Sequence, residues 1–138
     1  MDTAGKTMAA LSRLALLAGG AALLACPAAA TAASEITLIM VDDPNCGYCR
    51  KFEAEIGGRY PKTAEGRFAP LYKVRRKSRE LAGFDPVIYT PTFLLVRGTS
   101  EIGRITGYPG ARNFFPELDV LLSKAGYMPG LQTAPSRT

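Results

Sequence analysis

The sequence lacks histidine and tryptophan altogether and contains only three cysteines. Without histidine, Cys46 and Cys49 supply only half of a tetrahedral zinc site. A complete site would need a second chain, or carboxylates such as those of Asp42 and Asp43. A haem attachment motif needs a histidine directly after its second cysteine, where this chain has Arg50. These shortages leave metal binding as a minor alternative for the two cysteines.

Long apolar runs are scarce as well. The run from Leu14 to Cys26 is too short to cross a hydrocarbon layer of about 30 Å as a permanent anchor. Basic residues precede this run, and small residues with A-x-A spacing follow it at residues 28–33. A basic start, an apolar run and an A-x-A site are the three parts of a secretory signal peptide. We therefore expect cleavage after Ala32 or Ala33 and a mature protein that works in the periplasm.

A second interpretation of the same segment makes Cys26 a lipidated N-terminus. Residues 23–26 resemble a lipobox, although Leu24 is an imperfect match and Pro27 is an awkward follower. A lipid anchor at Cys26 would still leave the protein outside the cytoplasm.

Removal of the predicted signal peptide, residues 1–33, leaves about 105 residues, enough for one small domain. We expect that domain to span residues 34–128, followed by a flexible C-terminal tail at residues 129–138. Cys46 and Cys49 are then the remaining cysteines. A bridge that encloses two residues constrains the unfolded chain very little, so stabilisation is a poor reason to keep this pair.

The most informative feature is a C-x-x-C motif, Cys46-Gly47-Tyr48-Cys49. An apolar, β-branched run at residues 35–41 predicts a buried strand before it. Apolar residues at helical spacing predict a helix from Cys46 to about Ile56, with Asn45 as its N-cap. A cysteine at a helix N-terminus faces unpaired N–H groups and the positive end of the helix dipole, which lowers the pKa of its thiol. Cys46 is therefore predicted to be the nucleophile, and Cys49 the residue that displaces what Cys46 has captured.

The rest of the chain predicts the second strand of a βαβ unit, then a β-hairpin and a final helix. A loop through Pro61 and Gly66 follows the first helix, and Pro116 is expected in the first turn of the final helix. This order predicts an α/β fold with a four-stranded mixed sheet. The predicted elements are a strand at residues 69–74, one or two helical turns within 76–82, strands ending at 96 and spanning 101–106, and a helix with the apolar stripe Phe114, Leu118, Leu121, Leu122 and Ala125.

The C-x-x-C motif at the strand-to-helix junction, with Thr90-Pro91 ahead of the third strand, resembles the thioredoxin superfamily. The resemblance implies a compact thioredoxin-like fold in which the proline is cis and faces the cysteine pair. It also implies an enzyme that needs no cofactor beyond its own dithiol or disulfide. The implied site consists of the catalytic residues Cys46 and Cys49 and the substrate-binding residues Gly47, Tyr48, Thr90 and Pro91.

Residues 55–70, 89–93 and 101–110 more closely resemble the small periplasmic thioredoxins (SoxS) of bacterial sulfur-oxidation (Sox) systems. This resemblance implies a monomeric reductant of a partner protein's cysteine disulfide or mixed disulfide. The implied partner is the sulfur-carrier protein of the Sox system. A membrane conduit that passes thiol electrons would in turn reduce this protein.

Two positions depart from cytoplasmic thioredoxin. Asn45 stands where thioredoxin has tryptophan, and Met40 stands where thioredoxin buries an aspartate that assists proton transfer. Asp42 or Asp43 could replace that aspartate only from a more exposed position. Gly47-Tyr48 and the threonine before Pro91 look more like periplasmic disulfide isomerases. Those isomerases are dimers with an added N-terminal domain, which the sequence does not suggest, so we favour the reductase.

The strongest charge feature is a basic cluster, defined as Lys73, Arg75, Arg76, Lys77 and Arg79. It is either a solvated face or a docking site that attracts an acidic partner. Nucleic-acid binding is not expected, because an exported protein meets little nucleic acid and few aromatic residues lie among these cations.

Two questions stay open from the sequence. The aromatic residues Tyr48, Phe84, Tyr89 and Tyr108 either form an apolar rim around the thiols or cover the core. The alternative to the reductase is a non-catalytic binding module, in which the C-x-x-C pair carries a metal or a persulfide for a partner.

Overall fold

The computed structural model describes residues 35–130. The predicted signal peptide, the alternative lipid site at Cys26 and residues 131–138 of the predicted tail lie outside the described residues. Within residues 35–130, no helix is long and apolar enough to cross a membrane.

A four-stranded mixed sheet forms the centre of the fold, as predicted. Its strand order is β2-β1-β3-β4, with β1 parallel to β2 and antiparallel to β3, and β3 antiparallel to β4. The central strands are the most apolar, because both of their faces are covered. The strands are β1 (Ile36–Asp42), β2 (Leu71–Arg75), β3 (Thr92–Arg97) and β4 (Ser100–Thr106).

Three α-helices and two short 3₁₀ turns connect and cover these strands. Helix α1 (Gly47–Phe52) continues directly into a π-helical turn, Glu53–Gly57, and ends at Gly58. The helix predicted from Cys46 to Ile56 is therefore present. The other helices are α2 (Ala64–Phe68) and α3 (Ala111–Ser123), and the 3₁₀ turns are Tyr60–Lys62 and Arg79–Leu81.

The prediction of a loop between α1 and β2 was wrong, because α2 occupies this segment. Thr63 is the N-cap of α2: its Oγ1 accepts the N–H of Gly66 at 3.0 Å and donates to the carbonyl of Tyr60 at 2.9 Å. Pro61 lies in the preceding 3₁₀ turn, where the missing N–H of proline is tolerated. Pro61 and Gly66 therefore lie in short helices. Interpreting proline and glycine as helix-breaking residues does not predict these helices.

The predicted place of Pro116 was also wrong. Helix α3 begins at Ala111, so Pro116 lies in its second turn. The early start has a tertiary cause, since the carboxylate of Glu55 accepts the N–H of Ala111 at 3.3 Å. Gly110 precedes the helix with a φ of 91°, a conformation that favours glycine.

The two faces of the sheet are covered differently. On one face, α1 and α3 bury a cluster of aromatic rings, in which Phe52, Phe93 and Phe114 are fully buried. On the other face, the segment before β3 covers Val41, Leu94 and Val96 with partly buried residues such as Phe84. The helical face therefore forms the main core, and it supports the first turn of α1.

Candidate active site

The C-x-x-C motif begins in a tight turn at the end of β1. The Asp43 carboxylate accepts the N–H of Asn45 at 3.0 Å, and the Asp43 carbonyl accepts the N–H of Cys46 at 3.0 Å. The expectation that Asn45 caps α1 was wrong, because Cys46 itself is the N-cap. Asp43 already closes the turn around Asn45, so the first helical N–H groups reach the next residue instead.

The two sulfurs have different environments. Sγ of Cys46 accepts the N–H of Cys49 at 3.0 Å, and Cys46 is partly exposed. Cys49 is only 2% exposed and packs against the aromatic core. The structure holds the pair as a disulfide with its Cα atoms 5.2 Å apart. An outer sulfur at a helix N-terminus and an inner sulfur behind it form the arrangement that thiol–disulfide exchange needs.

Of the two cations that follow the motif, Arg50 is the one that turns toward the site. Its Nη1 donates to the carbonyl of Pro44 at 3.3 Å, which lies two residues before Cys46. Lys51 instead contributes to the electrostatic environment of Glu55. Arg50 is therefore the closer source of positive charge for a thiolate at Cys46.

Thr90 and Pro91 lie at the same end of the sheet as the cysteine motif. Val41 pairs with Thr92, and continuing this register places Pro91 opposite Asp42, where β1 ends. The Thr90–Pro91 peptide bond is cis, and Pro91 is buried. The carbonyl of Pro91 accepts the N–H of Gly107 at 2.7 Å. Gly47 and Tyr48, the other predicted substrate-binding residues, are exposed in the first turn of α1.

The acidic residues near the motif are paired with arginines. Met40 is fully buried in the core. Asp42 and Asp43 are partly exposed and form ion pairs with Arg75 at 3.2 Å and Arg76 at 3.4 Å. Among residues 35–130, no group of three His, Cys, Asp or Glu side chains is placed to hold a metal ion.

The four aromatic residues separate into two pairs. Tyr48 and Tyr89 are 62% and 69% exposed, so these two residues do not cover the core. Phe84 and Tyr108 cover the core instead, on opposite faces of the sheet. Burial, followed by a hydrogen bond to Glu55, raises the pKa of Tyr108 well above its usual value.

The basic cluster is mostly neutralised within the fold. Lys73 pairs with Glu53 at 2.9 Å, in addition to the two arginine pairs described above. Lys77 and Arg79 are exposed and form no salt bridge within the part of the chain that the structure describes. The surplus positive charge of the cluster therefore belongs to Lys77 and Arg79.

One connection that shapes the site has no signal in the sequence. The guanidinium of Arg76 contacts the Asp43 carboxylate at 3.4 Å and donates to the carbonyl of Ile88 at 3.4 Å. Arg76 therefore joins the turn before Cys46 to the segment before Pro91. These residues are far apart in the sequence, so a spacing pattern could not reveal the contact.

A family model and one solved structure agree with this geometry. The family model for a thioredoxin-like domain matches residues 27–121. The periplasmic thioredoxin SoxS from Paracoccus pantotrophus, solved in its reduced form, is 41% identical with a TM-score of 0.63, and the match covers 66% of this chain and 99% of that one. A thioredoxin from Malassezia sympodialis, Mala s 13, is 20% identical with a TM-score of 0.45, covering 62% of this chain and 73% of that one. No curated protein sequence matches the chain.

Proposed function

Because this chain belongs to the thioredoxin-like family and is a thiol–disulfide oxidoreductase, we propose that it acts in the periplasm as a reductant of a partner protein. Its substrate is a cysteine disulfide or mixed disulfide on that partner. The observation that carries the proposal is the asymmetry of the pair: the Cys46 sulfur is partly exposed and accepts the N–H of Cys49, while Cys49 is buried behind it.

The exchange begins from the reduced pair. The Cys46 thiolate, stabilised by the N–H groups at the start of α1, attacks one sulfur of the partner disulfide. The partner's second sulfur leaves as a thiolate and takes up a proton. Cys49 then loses its proton and attacks the Cys46 sulfur of the mixed disulfide, which releases the first partner sulfur. Two electrons have moved to the partner, and this chain is left with the Cys46–Cys49 disulfide.

The residues around the pair receive the partner segment. Gly47 and Tyr48 present an exposed surface beside Cys46, and Thr90-Pro91 lies across the end of the sheet from the same turn. We propose that the backbone of Thr90 pairs with an extended partner segment in short β-augmentation. Such pairing would hold the partner's sulfur in line with Cys46.

The proposed partner is the sulfur-carrier protein of a Sox sulfur-oxidation system. Support comes from the 41% identity to a periplasmic SoxS thioredoxin, over 99% of that chain. A membrane conduit for thiol electrons would return the Cys46–Cys49 disulfide to the dithiol.

Insulin reduction with dithiothreitol tests the chemistry. The wild-type protein should accelerate the reduction, and Cys46→Ser should lose the acceleration, because the attacking sulfur is gone. Met128→Ser is the matched control, because it also replaces a sulfur-containing side chain but at an exposed position after α3, and it should keep full activity. A wild-type protein that leaves the rate unchanged but binds copper or zinc stoichiometrically would instead support the carrier module.

A trapping experiment tests the partner separately. Cys49→Ser retains the attacking sulfur but lacks the resolving one, so it should accumulate a mixed disulfide with its target in a sulfur-oxidising host. Mass spectrometry should identify the Sox sulfur carrier in that adduct. Adducts that contain no Sox component would refute the partner and leave the exchange chemistry standing.

A further inference from the structure

A small cavity adjoins the turn before Cys46. This side pocket has a volume of about 310 Å³. Its lining residues are Asp42, Asp43, Pro44, Asn45, Arg75, Arg76 and Lys77. Since Asn45 directly precedes Cys46, a group bound in the side pocket would lie close to the reacting sulfur.

The side pocket carries one uncompensated positive charge. Its two carboxylates are each paired with an arginine of the same pocket, Asp42 with Arg75 and Asp43 with Arg76. Lys77 is left without a salt bridge in residues 35–130, and it is exposed. Arg79, two residues further on, adds a second exposed cation without a salt bridge in that range. The pocket therefore favours a ligand with a single negative charge.

An apolar surface continues from the side pocket toward Pro91. Arg76 lines the pocket and donates to the carbonyl of Ile88, so the two surfaces share this side chain. Ile88 and Tyr89 are 64% and 69% exposed, and they lead directly into Thr90-Pro91. A chain lying along this route would meet the exposed side chains of Ile88 and Tyr89 and then the pocket that Lys77 lines beside the turn before Cys46.

We infer that the side pocket receives an acidic side chain of the partner polypeptide, one that lies beside the partner's reactive cysteine. This inference rests on the proposed function and specifies its substrate class: disulfides with a neighbouring glutamate or aspartate. The carboxylate of the partner pairs with Lys77, and the adjoining apolar residues of the partner cover Ile88 and Tyr89. Charge at the edge of an interface acts mainly on the rate of association and on its salt dependence.

Matched peptides test this assignment. Three peptide disulfides of the same length carry glutamate, glutamine or lysine beside the reactive cysteine. The measured quantity is the second-order rate constant for reduction of each peptide by the reduced protein. It is divided by the rate constant for reduction of the same peptide by dithiothreitol. For the wild type at low salt, we expect the glutamate peptide to react about threefold to tenfold faster than the glutamine peptide, and the lysine peptide to react slowest. The preference should fall away at about 0.5 M salt.

Two charge reversals separate the side pocket from the overall charge. Lys77→Glu should invert the order of the peptides. Lys62→Glu changes the net charge by the same amount but lies before the start of β2, whereas the side pocket lies at the end of that strand. Lys62→Glu should therefore keep the wild-type order.

The outcomes distinguish this inference from the proposed function. Equal rates for the glutamate and glutamine peptides at low salt would overturn the inference while leaving the reductase intact. An inversion by Lys62→Glu as large as that by Lys77→Glu would also overturn it, because overall charge would then explain the preference. Failure to reduce any of the peptides would refute the proposed function, and the inference with it.

Discussion

At the scale of single residues, the hydroxyl of Tyr108 holds the Glu55 carboxylate in contact with the start of α3. It donates to the carboxylate of Glu55 at 2.7 Å, and the same carboxylate oxygen accepts the N–H of Ala111, the first residue of α3. The ring of Tyr108 packs edge-on against Phe52 of α1 at 5.4 Å. The hydrogen bond from Tyr108, followed by that from Ala111, lowers the pKa of Glu55. The Glu55 side chain thus connects the π-helical turn after α1 to the start of α3.

Tyr108→Phe keeps the ring and removes this hydroxyl. We expect the midpoint of thermal unfolding at pH 7 to fall by a few degrees, because Glu55 loses a hydrogen-bond donor. A lowered carboxyl pKa stabilises the folded state above the ordinary value of 4.5, and that contribution is lost as the pH falls through the folded value. The difference between variant and wild type should therefore shrink at acidic pH, well below 4.5.

Tyr48→Phe is the control for this prediction, since Tyr48 is 62% exposed. It should leave the unfolding midpoint unchanged at both pH values. A Tyr108→Phe midpoint equal to that of the wild type at pH 7 would show that the hydroxyl contributes nothing to stability.

At the scale of elements, the connection between α1 and β2 depends on a close approach at Gly66. A Cβ at this position would overlap the carbonyl oxygen of Tyr60 and lie 2.7 Å from its carbonyl carbon. Tyr60 cannot move easily, because its ring is fully buried and its hydroxyl donates to the carbonyl of Ala69 at 2.9 Å. The glycine that suggested a loop is therefore the residue that lets α2 pack against the preceding 3₁₀ turn.

Gly66→Ala should lower the free energy of unfolding by about 2–3 kcal/mol, because the new methyl group meets backbone atoms. Gly58→Ala is the matched control: Gly58 has a φ of −70°, and no atom lies within 4 Å of its added Cβ. This control should be neutral or stabilising, by up to about 1 kcal/mol. Urea denaturation measures both variants, and equal stabilities would contradict the packing argument.

At the scale of the whole molecule, the sheet places residues from separate segments at one end. The C-x-x-C motif follows β1, and Thr90-Pro91 precedes β3. The basic cluster begins within the last residues of β2 and continues beyond its end. Because β1 and β2 are parallel and β3 is antiparallel to β1, these three connections meet at the same end of the sheet. The site is therefore a product of strand order rather than of any one segment.

The predicted export and cleavage of the chain are testable by identifying its first residue. N-terminal sequencing of protein recovered from a periplasmic fraction should begin at Ala33 or Ser34, as expected for cleavage of a signal peptide. Recovery in the membrane fraction, with Cys26 as a lipid-modified first residue, would support the lipid anchor instead. A protein that retains Met1 would refute both forms of export processing.

Much of the fold and site followed from patterns that are local in the sequence. The apolar run before Cys46 and the apolar spacing after it predicted β1 and α1, and the C-x-x-C motif between them predicted the exchange chemistry. The mixed sheet could be predicted because a βαβ unit followed by a β-hairpin implies one parallel and one antiparallel pairing of strands. Where local signals misled, as at Asn45, Gly66 and Pro116, a hydrogen bond or contact with another residue decided the outcome.

The sequence by itself determined which sulfurs can react, since a thiol pair one helical turn apart after a buried strand needs only local structure. Tertiary structure alone decided what surrounds them. It buried Tyr108 in the core, paired Asp42 and Asp43 with arginines, and left Lys77, which lines the same pocket as Asn45, without a salt bridge among residues 35–130. The physical reason is that burial and ion pairing depend on distances between segments that are set only when the sheet forms.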